Sequence, residues 1–154
     1  NPYAFEPAIA PEAAARQVGV KINPAAILDS YEQLAGVADQ VVVEGVGGWR
    51  VPLNGGYDVA AMAVDIGLPV VLVVAIKLGC ISHARLAAES ILASGLPLLG
   101  WVANAASSPT VDSVTVEALK QVLPGYCLGV VPQLASPTDV AEYLSIELVQ
   151  SAVI

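Results

Sequence analysis

A carboxylate directly follows a short apolar run and is itself followed by three glycines within four residues. The segment Val41–Leu53 reads VVVEGVGGWRVPL, with the carboxylate at Glu44. In open parallel sheets ligands collect outside the carboxyl ends of the strands, and glycines let backbone N–H groups approach a ligand closely. No lysine follows the glycines, so this is not a phosphate loop of the GxxxxGK[ST] kind. If a nucleotide binds here, Glu44 is better suited to hold its metal ion than its phosphates.

A second candidate segment, KLGCISHA from Lys77, opens a predicted helix near Ile81. A helix N-terminus presents free N–H groups and the positive end of the helix dipole, which suits a carboxylate or a phosphate. Lys77 would add a full charge, although a solvated loop lysine is an equal alternative. Ser82 could cap the helix or bind a ligand, whereas Cys80 and His83 fit packing or capping better than chemistry.

Two further polar segments follow predicted strands. Asn104 ends the run LLGWVAN, and its amide can donate and accept at once, as recognition of a purine edge requires. A simple turn residue is the alternative reading. The segment PQLASPTD, Pro132–Asp139, could line a base pocket with its backbone or form a polar loop before the last helix.

The elements that must position these residues alternate along the chain. Short Val-rich runs bounded by Gly, Pro or Asn predict buried strands, and the stretches between them have helical spacing. The predicted strands are Val41–Val43, Val70–Ala75, Leu98–Ala103 and Leu128–Val131. The predicted helices are Pro24–Ala35, with Asn23 as its N-cap, and Asp58–Ile66, Ile81–Ser94, Val111–Val122 and Asp139–Val149. Such alternation predicts right-handed crossovers and a doubly wound α/β sheet.

Composition excludes several classes of function. The 154 residues are 56% hydrophobic and 13% charged, with a net charge of −8, so no basic face is expected for nucleic acid. No apolar run is long enough to cross a bilayer, and the start lacks the features of a signal peptide, so a soluble cytoplasmic protein is expected. Cys80 and Cys127 match no metal or disulfide spacing, and both are predicted to be reduced.

The chain opens with NPYAFEPAIAPEAA, which is rich in proline and has no initial methionine. This predicts a loop that enters a helix partway through a longer protein. We therefore expect a sheet that lacks its beginning.

Four segments together resemble the dethiobiotin synthetases, ATP-dependent carboxylase-cyclases of biotin synthesis. They are NPYAFEPAIAP at the start, EGVGGWRVPL from Glu44, KLGCISHA from Lys77 and GWVAN from Gly100, in the expected order. The resemblance implies an α/β domain of the P-loop NTPase type with a doubly wound, mostly parallel sheet that is incomplete at its N-terminal end. Residues 1–154 would be the C-terminal part of that single domain, without the family's phosphate loop, catalytic lysines and magnesium-sharing aspartate.

The resemblance also implies roles for individual residues. Glu44 would be the acidic Mg²⁺ ligand, and the family's catalytic lysines would lie outside this chain. The positions matching the ATP site are Glu44, Gly45, Val46, Gly47, Asn104, Ala105, Pro132, Gln133 and Leu134. Those matching the substrate site are Gly47, Lys77, Leu78, Gly79, Cys80, Ile81 and Ser82. In the family the turn matching Leu78–Ser82 reaches substrate on the other subunit of a homodimer. Whether Thr138 or Asp139 makes the last nucleotide contact is open.

The implied reaction joins CO₂ to 7,8-diaminononanoate and closes a ureido ring at the expense of ATP. The carbamate oxygen attacks the γ-phosphate, and the second amine then closes the ring as phosphate leaves. Two other readings stay open: a relative of the cobyrinic acid amide synthetases, and a noncatalytic nucleotide-sensing or partner-binding module of the ParA/MinD-like type. The segments EGVGGWRVPL and KLGCISHA together are not a signature of the cobyrinic acid amide synthetases and disfavour that reading. The net negative charge disfavours the ParA/MinD-like reading, because such modules often bind DNA or a membrane.

Overall fold

The computed structural model describes residues 1–106, 111–145 and 147, and the chain divides into two compact units, Asn1–Leu68 and Pro69–Ile154. The first unit contains the helices and strands α1 (Pro11–Gln17), α2 (Pro24–Ala35), β1 (Pro52–Asn54), β2 (Tyr57–Asp58) and α3 (Val59–Ile66). The second contains β3 (Val70–Ala75), α4 (Cys80–Ala93), β4 (Leu98–Asn104), α5 (Ser113–Val122), β5 (Tyr126–Val131) and a short 3-10 helix (Pro137–Tyr143).

The first unit packs helices against a short antiparallel hairpin. Strands β1 and β2 pair with each other, and Leu53 of β1 lies in a core with Ala15, Ile22, Val59 and Met62. Local signals set the helix starts, since the predicted N-cap Asn23 accepts a hydrogen bond from the backbone N–H of Ala25 at 3.1 Å. Helix α2 therefore begins where the sequence supplies a cap, whereas α1 begins at Pro11 without a side-chain cap.

The second unit is built on a parallel sheet in the order β3-β4-β5. Val74 of β3 and Trp101 and Ala103 of β4 face a core formed with α4 and α5, where Ala84 and Leu119 are buried. Alternate residues along a strand point to opposite faces, so these three side chains define the helix-covered face of the sheet. Both helices shield that face from water.

Gly100 allows β4 and β5 to pair at close range. A Cβ atom at this position would lie 2.5 Å from the carbonyl oxygen of Tyr126 and 2.9 Å from Cγ of Leu128. Both distances are shorter than ordinary contacts, and one of the two neighbours is rigid backbone. Only glycine fits between these residues without moving the strand beside it.

Most of the predicted elements are confirmed. Strand Val70–Ala75 has the predicted bounds, while the other two strands of the parallel sheet extend to Asn104 and back to Tyr126. Four helices agree with prediction to within a residue or two, those at Pro24–Ala35, Val59–Ile66, Cys80–Ala93 and Ser113–Val122. The α/β class with a mostly parallel sheet is confirmed as well.

The predicted strand Val41–Val43 is wrong. These residues have no regular secondary structure, and the Val42 side chain is 94% exposed. A strand needs a neighbour to hydrogen-bond with, and within the described part of the chain no strand pairs with this valine run. Glu44 therefore projects from an irregular segment and not from the carboxyl end of a strand.

The predicted helix Asp139–Val149 is also wrong over residues 139–145, although residue 147 is helical. A 3-10 helix covers Pro137–Tyr143, and Leu144 then pairs with Gly129 in an antiparallel bridge along the free edge of β5. The bridge gives the backbone groups of Leu144 hydrogen-bond partners in the sheet, so a continued helix is not needed to satisfy them. Residues 146, 148 and 149 of the predicted helix lie outside the described residues. None of the described helices has both the length and the apolar character required to cross a membrane.

We expect Gly100→Ala to lower the free energy of unfolding by about 1–3 kcal/mol, because the added methyl group overpacks the junction of β4 and β5. Denaturant unfolding of the complete protein, followed by circular dichroism, measures this loss. Gly36→Ala is the matched control, since its added Cβ would meet neighbouring backbone oxygens at no less than 3.5 Å and its φ of −74° suits any residue. Equal unfolding midpoints for the two variants would contradict the close approach at Gly100.

Candidate active site

The glycine-rich segment lines a cavity in the first unit. Residues Glu44–Gly47 border this cavity, whose volume is about 740 Å³. Most of the remaining wall is apolar and includes Tyr3, Phe5, Ile9 and Met62. Among the described residues of the wall, Glu44 has the single carboxylate side chain, and it is exposed to solvent. The cavity therefore combines an apolar interior with one carboxylate.

The glycines are required because the segment runs against two valines. A Cβ atom on Gly45 would lie 2.9 Å from Cγ1 of Val59, the first residue of α3. Gly47 has a φ of +79°, a conformation that glycine adopts readily, and a Cβ there would lie 3.2 Å from Cγ2 of Val51. These two positions fix the path of the backbone beside Glu44.

An ion pair anchors the end of the same segment. Nε of Arg50 lies 3.0 Å from Oδ2 of Asp58, while Oδ1 of Asp58 accepts a hydrogen bond from the backbone N–H of Ala61 at 2.8 Å. Asp58 is thus both the N-cap of α3 and the partner of Arg50. The backbone N–H of Val59 also donates to the carbonyl oxygen of Val51 at 3.0 Å. The chain after the glycines is tied to the start of α3.

Tyr57 supports this arrangement from the hairpin. Its hydroxyl donates a hydrogen bond to Oδ2 of Asp65 at 2.8 Å. Burial, followed by the hydrogen bond to Asp65 and the negative charges of Asp65 and Asp58, raises the pKa of Tyr57 well above its ordinary value. Tyr57 therefore stays protonated at neutral pH and acts as a hydrogen-bond donor.

In the second unit the parallel register brings several predicted residues to one edge of the sheet. The backbone N–H of Ile76 donates to the carbonyl oxygen of Asn104 at 2.9 Å, and that of Ala105 donates to Val131 at 2.8 Å. These bonds align the ends of the three strands. Five of the residues predicted to bind ATP lie along this edge. Asn104 ends β4 and Ala105 follows it, while Pro132, Gln133 and Leu134 follow β5. Lys77 follows β3 at the same edge.

The KLGCIS turn borders a second cavity, of about 880 Å³, within this unit. All of the predicted substrate residues Lys77–Ser82 line it. Gly79 has a φ of +89° and stands at the N-cap of α4, where it has no side chain to occupy the free N–H groups. Cys80 is buried, whereas the Leu78 side chain is fully exposed. The Cys80 backbone N–H donates to the carbonyl oxygen of Lys77 at 3.0 Å, so the wall presents a helix start without a side-chain cap, together with a lysine.

Four polar residues of the same wall were missed by the sequence analysis. They are Arg85, Glu89, Asp112 and Thr115. Helical spacing from Ser82 was a signal for the first two, and an acid at the start of a predicted helix was a signal for Asp112. Arg85 and Glu89 form an ion pair of 3.5 Å. Hydrogen bonds from the Thr115 side chain and backbone, followed by one from the Val114 N–H, lower the pKa of Asp112.

Comparison with known proteins identifies the family. The chain matches the AAA domain family over residues 1–141. It is 51% identical to the ATP-dependent dethiobiotin synthetase of Pseudomonas paraeruginosa, across 95% of this chain and 66% of that protein. It is 48% and 45% identical to proteins of the same name from Aromatoleum aromaticum and Chromohalobacter salexigens, across 94% and 95% of this chain and 65% and 68% of those proteins. The chain belongs to the dethiobiotin synthetase family.

The chain spans about two thirds of the length of these dethiobiotin synthetases. No GxxxxGK[ST] motif occurs in its 154 residues. The aligned part includes all of the predicted site segments, from Glu44 to Leu134. These 154 residues therefore contain the positions predicted to bind the base of ATP and the substrate, but no GxxxxGK[ST] phosphate loop.

Glu44 could hold a magnesium ion as one ligand among several. Mg²⁺ usually keeps several waters and takes one or two carboxylates together with substrate phosphates. Across residues 1–106, 111–145 and 147, no three His, Cys, Asp or Glu side chains cluster closely enough to hold a metal ion. An exposed carboxylate on the wall of a cavity fits such a shared site, because its oxygens are free to meet an ion carried by the nucleotide.

His83, Thr138 and Asp139 are the remaining candidates from the sequence, and all three lie at or near the start of a helix. The His83 backbone N–H donates to the carbonyl oxygen of Gly79 within the first turn of α4. Ser136 caps the 3-10 helix, since its hydroxyl accepts from the Thr138 N–H at 3.3 Å, and the Thr138 hydroxyl lies 3.3 Å from Oδ1 of Asp139. Thr138 and Asp139 are thus adjacent and both polar. Either side chain remains a candidate for the last nucleotide contact.

Proposed function

We propose that this protein is a dethiobiotin synthetase, which uses ATP and Mg²⁺ to carboxylate 7,8-diaminononanoate and to close its ureido ring. The observation that carries the proposal is identity of 45–51% over 94–95% of the chain with proteins named ATP-dependent dethiobiotin synthetases. The family's segments from Glu44, Lys77 and Gly100 are all present in this range.

Glu44 is proposed to hold Mg²⁺ beside the nucleotide phosphates. The ion would neutralise charge that develops on the transferred phosphoryl group. Gly45 and Gly47 fix the path of the backbone beside Glu44, so its N–H groups are proposed to approach phosphate oxygens closely. The phosphate loop and the catalytic lysines are proposed to come from the part of the complete protein that corresponds to the unmatched third of the relatives.

The carboxyl edge of the parallel sheet is proposed to bind the base of ATP. The Asn104 amide offers a donor and an acceptor, which match the N6 amino group and a ring nitrogen of adenine. Pro132–Leu134 follow the neighbouring strand, so their backbone can close over the ring. The support is that β4 and β5 end side by side, with Asn104 paired to Val131.

The cavity around Lys77–Ser82 is proposed to bind the carboxylate of diaminononanoate. The free N–H groups at the start of α4 and the Lys77 ammonium group complement a negative charge. We include a homodimer in the proposal, in which this turn completes the site of the other subunit. The fully exposed Leu78 side chain supports it, because a partner surface would remove its apolar area from water.

The reaction is proposed to proceed in three balanced steps. One amine of the substrate attacks CO₂ and loses a proton to give a carbamate. A carbamate oxygen attacks the γ-phosphorus of ATP, and ADP leaves. The second amine then attacks the carbonyl carbon of the mixed anhydride, and phosphate leaves as the ring closes. The residues of this chain bind and orient the reactants, which is the main contribution of a protein to phosphoryl transfer.

Product formation tests the proposal directly. The complete protein, supplied with diaminononanoate, bicarbonate and MgATP, should form dethiobiotin and ADP in equal amounts, as measured by mass spectrometry and a coupled ADP assay. The 154 residues expressed alone are the control and should form no product, because they contain no phosphate loop. A folded, complete protein that consumes no diaminononanoate would reject the assignment.

Glu44→Gln should lower turnover by about a hundredfold and weaken the dependence on Mg²⁺, because an amide is a poorer ligand for a hard cation. Initial rates across a range of Mg²⁺ concentrations measure both effects. Glu32→Gln is the matched control, since Glu32 is an exposed carboxylate on α2 away from the cavity. Unchanged kinetics for Glu44→Gln would remove Glu44 from the site.

Mixing two inactive variants extends this experiment to the proposed dimer. Lys77→Glu would repel the substrate carboxylate and should be inactive, while the exposure of Lys77 keeps the fold intact. Equal amounts of Lys77→Glu and Glu44→Gln subunits should regain about a quarter of the activity, because half of the dimers would be mixed and each would hold one intact site. No recovery after subunit exchange would contradict a site shared between subunits.

Asn104→Ala should raise the KM for ATP about tenfold, the effect of losing one or two hydrogen bonds, and should relax discrimination against GTP. The ratio of kcat/KM for the two nucleotides measures the change. Gln33→Ala removes an exposed amide from α2 and serves as the control. If the ATP-to-GTP ratio is the same in both variants, adenine is recognised elsewhere.

A further inference from the structure

We propose that Arg50 and Asp58 are positioning residues that hold the glycine segment in the conformation from which Glu44 reaches the metal ion. This inference rests on the proposed function, because it assigns Glu44 a role at Mg²⁺. It adds two residues that act through Glu44 and do not themselves touch the reactants.

The ion pair between these residues is placed to act on the segment. Arg50 follows Gly47, Gly48 and Trp49 directly, and its Nε contacts Oδ2 of Asp58 at 3.0 Å. The side chain of Asp58 is 13% exposed, whereas that of Arg50 is 71% exposed. A carboxylate withdrawn from water is screened less than a surface one, so its attraction for a neighbouring cation is stronger. The contact therefore differs from an ordinary surface ion pair.

Asp58 connects this pair to a rigid element. Its second oxygen, Oδ1, caps α3 through the N–H of Ala61, so the carboxylate cannot follow Arg50 if the loop moves. Val59 begins that helix, and its backbone N–H donates to the carbonyl oxygen of Val51. Two contacts thus tie the end of the glycine segment to the N-terminus of α3.

The beginning of the segment is held by the same helix. Cγ1 of Val59 occupies the space that a Cβ on Gly45 would need. The segment between Gly45 and Val51 is therefore held at both ends by the first turn of α3, and Glu44 immediately precedes it. Glycines left without such anchors would sample many conformations, and ordering them on binding would cost free energy. The ion pair removes part of that cost before the ligand arrives.

The first measurement is amide hydrogen exchange of Gly45–Gly48 in the complete protein, without nucleotide or metal. Arg50→Met should speed exchange in this segment severalfold. Asp58→Asn should do the same, because asparagine keeps the helix cap but loses the charge that attracts Arg50. Arg16→Met is the matched control: Arg16 pairs with Glu12 at 3.7 Å in the same unit, away from the glycines. Exchange in the segment should be unchanged in that variant.

The second measurement is the Mg²⁺ concentration for half-maximal activity. It should rise about tenfold in Arg50→Met and Asp58→Asn, as for other residues that orient a metal ligand, while the KM for diaminononanoate stays the same. Arg50→Lys should recover part of the effect, because lysine restores the charge but not the directional Nε–H. The Arg16→Met enzyme should match the unmodified enzyme.

Exchange and Mg²⁺ dependence that are unchanged in Arg50→Met would overturn the inference. Faster exchange with unchanged Mg²⁺ dependence would also overturn it, because the pair would then only stabilise the fold. The Glu44→Gln variant separates this result from a failure of the proposed function. If Arg50→Met shifts both measurements while Glu44→Gln shifts neither kinetic constant, positioning of the segment stands and the metal assignment of Glu44 fails.

Discussion

Parallel hydrogen bonding between β3, β4 and β5 determines which parts of the second unit can act together. Ala75 pairs with Asn104, and Asn104 pairs with Val131, so all three strands end at the same level. Backbone groups in a buried sheet must find partners, and a shift by one residue would move each side chain to the opposite face. The register therefore brings Lys77, Ala105 and Pro132 out along one edge, although long stretches of sequence separate them.

The helices of this unit extend that edge into a cavity. Small residues such as Ala84 and Ala88 let α4 lie close to the sheet, next to Trp101 of β4. Gly79 is the N-cap of α4, and the start of this helix borders the same cavity as Asp112, the N-cap of α5, and Thr115. Packing of the apolar core thus determines where these polar groups gather.

In the first unit, side-chain contacts and not a parallel sheet hold the glycine segment in place. Its glycine segment has no strand to support it, and close contact with Val59 takes the place of a hydrogen-bonded ladder. Asp58 contributes to both helix capping and ion pairing, so one carboxylate links the hairpin, the helix and the loop. In a chain with only six Lys and Arg residues, the arginine of this ion pair is a large share of the available positive charge.

The sequence alone determined the elements whose signals are local. Asn23 before Pro24 predicted a helix start, helical spacing predicted the helix at Asp58–Ile66, and short Val-rich runs predicted the strands of the parallel sheet. These signals succeed because a helix cap and a hydrophobic repeat each depend on residues within a turn or two of each other. The alternation of elements also placed Lys77, Asn104 and Pro132 at strand ends. The carboxylate between an apolar run and three glycines singled out Glu44, and the family resemblance then implied its role.

Only the tertiary structure decided features that depend on distant partners. Val41–Val43 has the composition of a strand, but composition cannot supply the neighbouring chain with which a strand must pair. Leu144 leaves the predicted last helix because the edge of β5 offers it hydrogen bonds. The pairing of Arg50 with Asp58 and the approach of Asp112 to the KLGCIS turn likewise depend on how hairpin and helices pack. Local preference sets what a segment can form, and the contacts available after folding select among those possibilities.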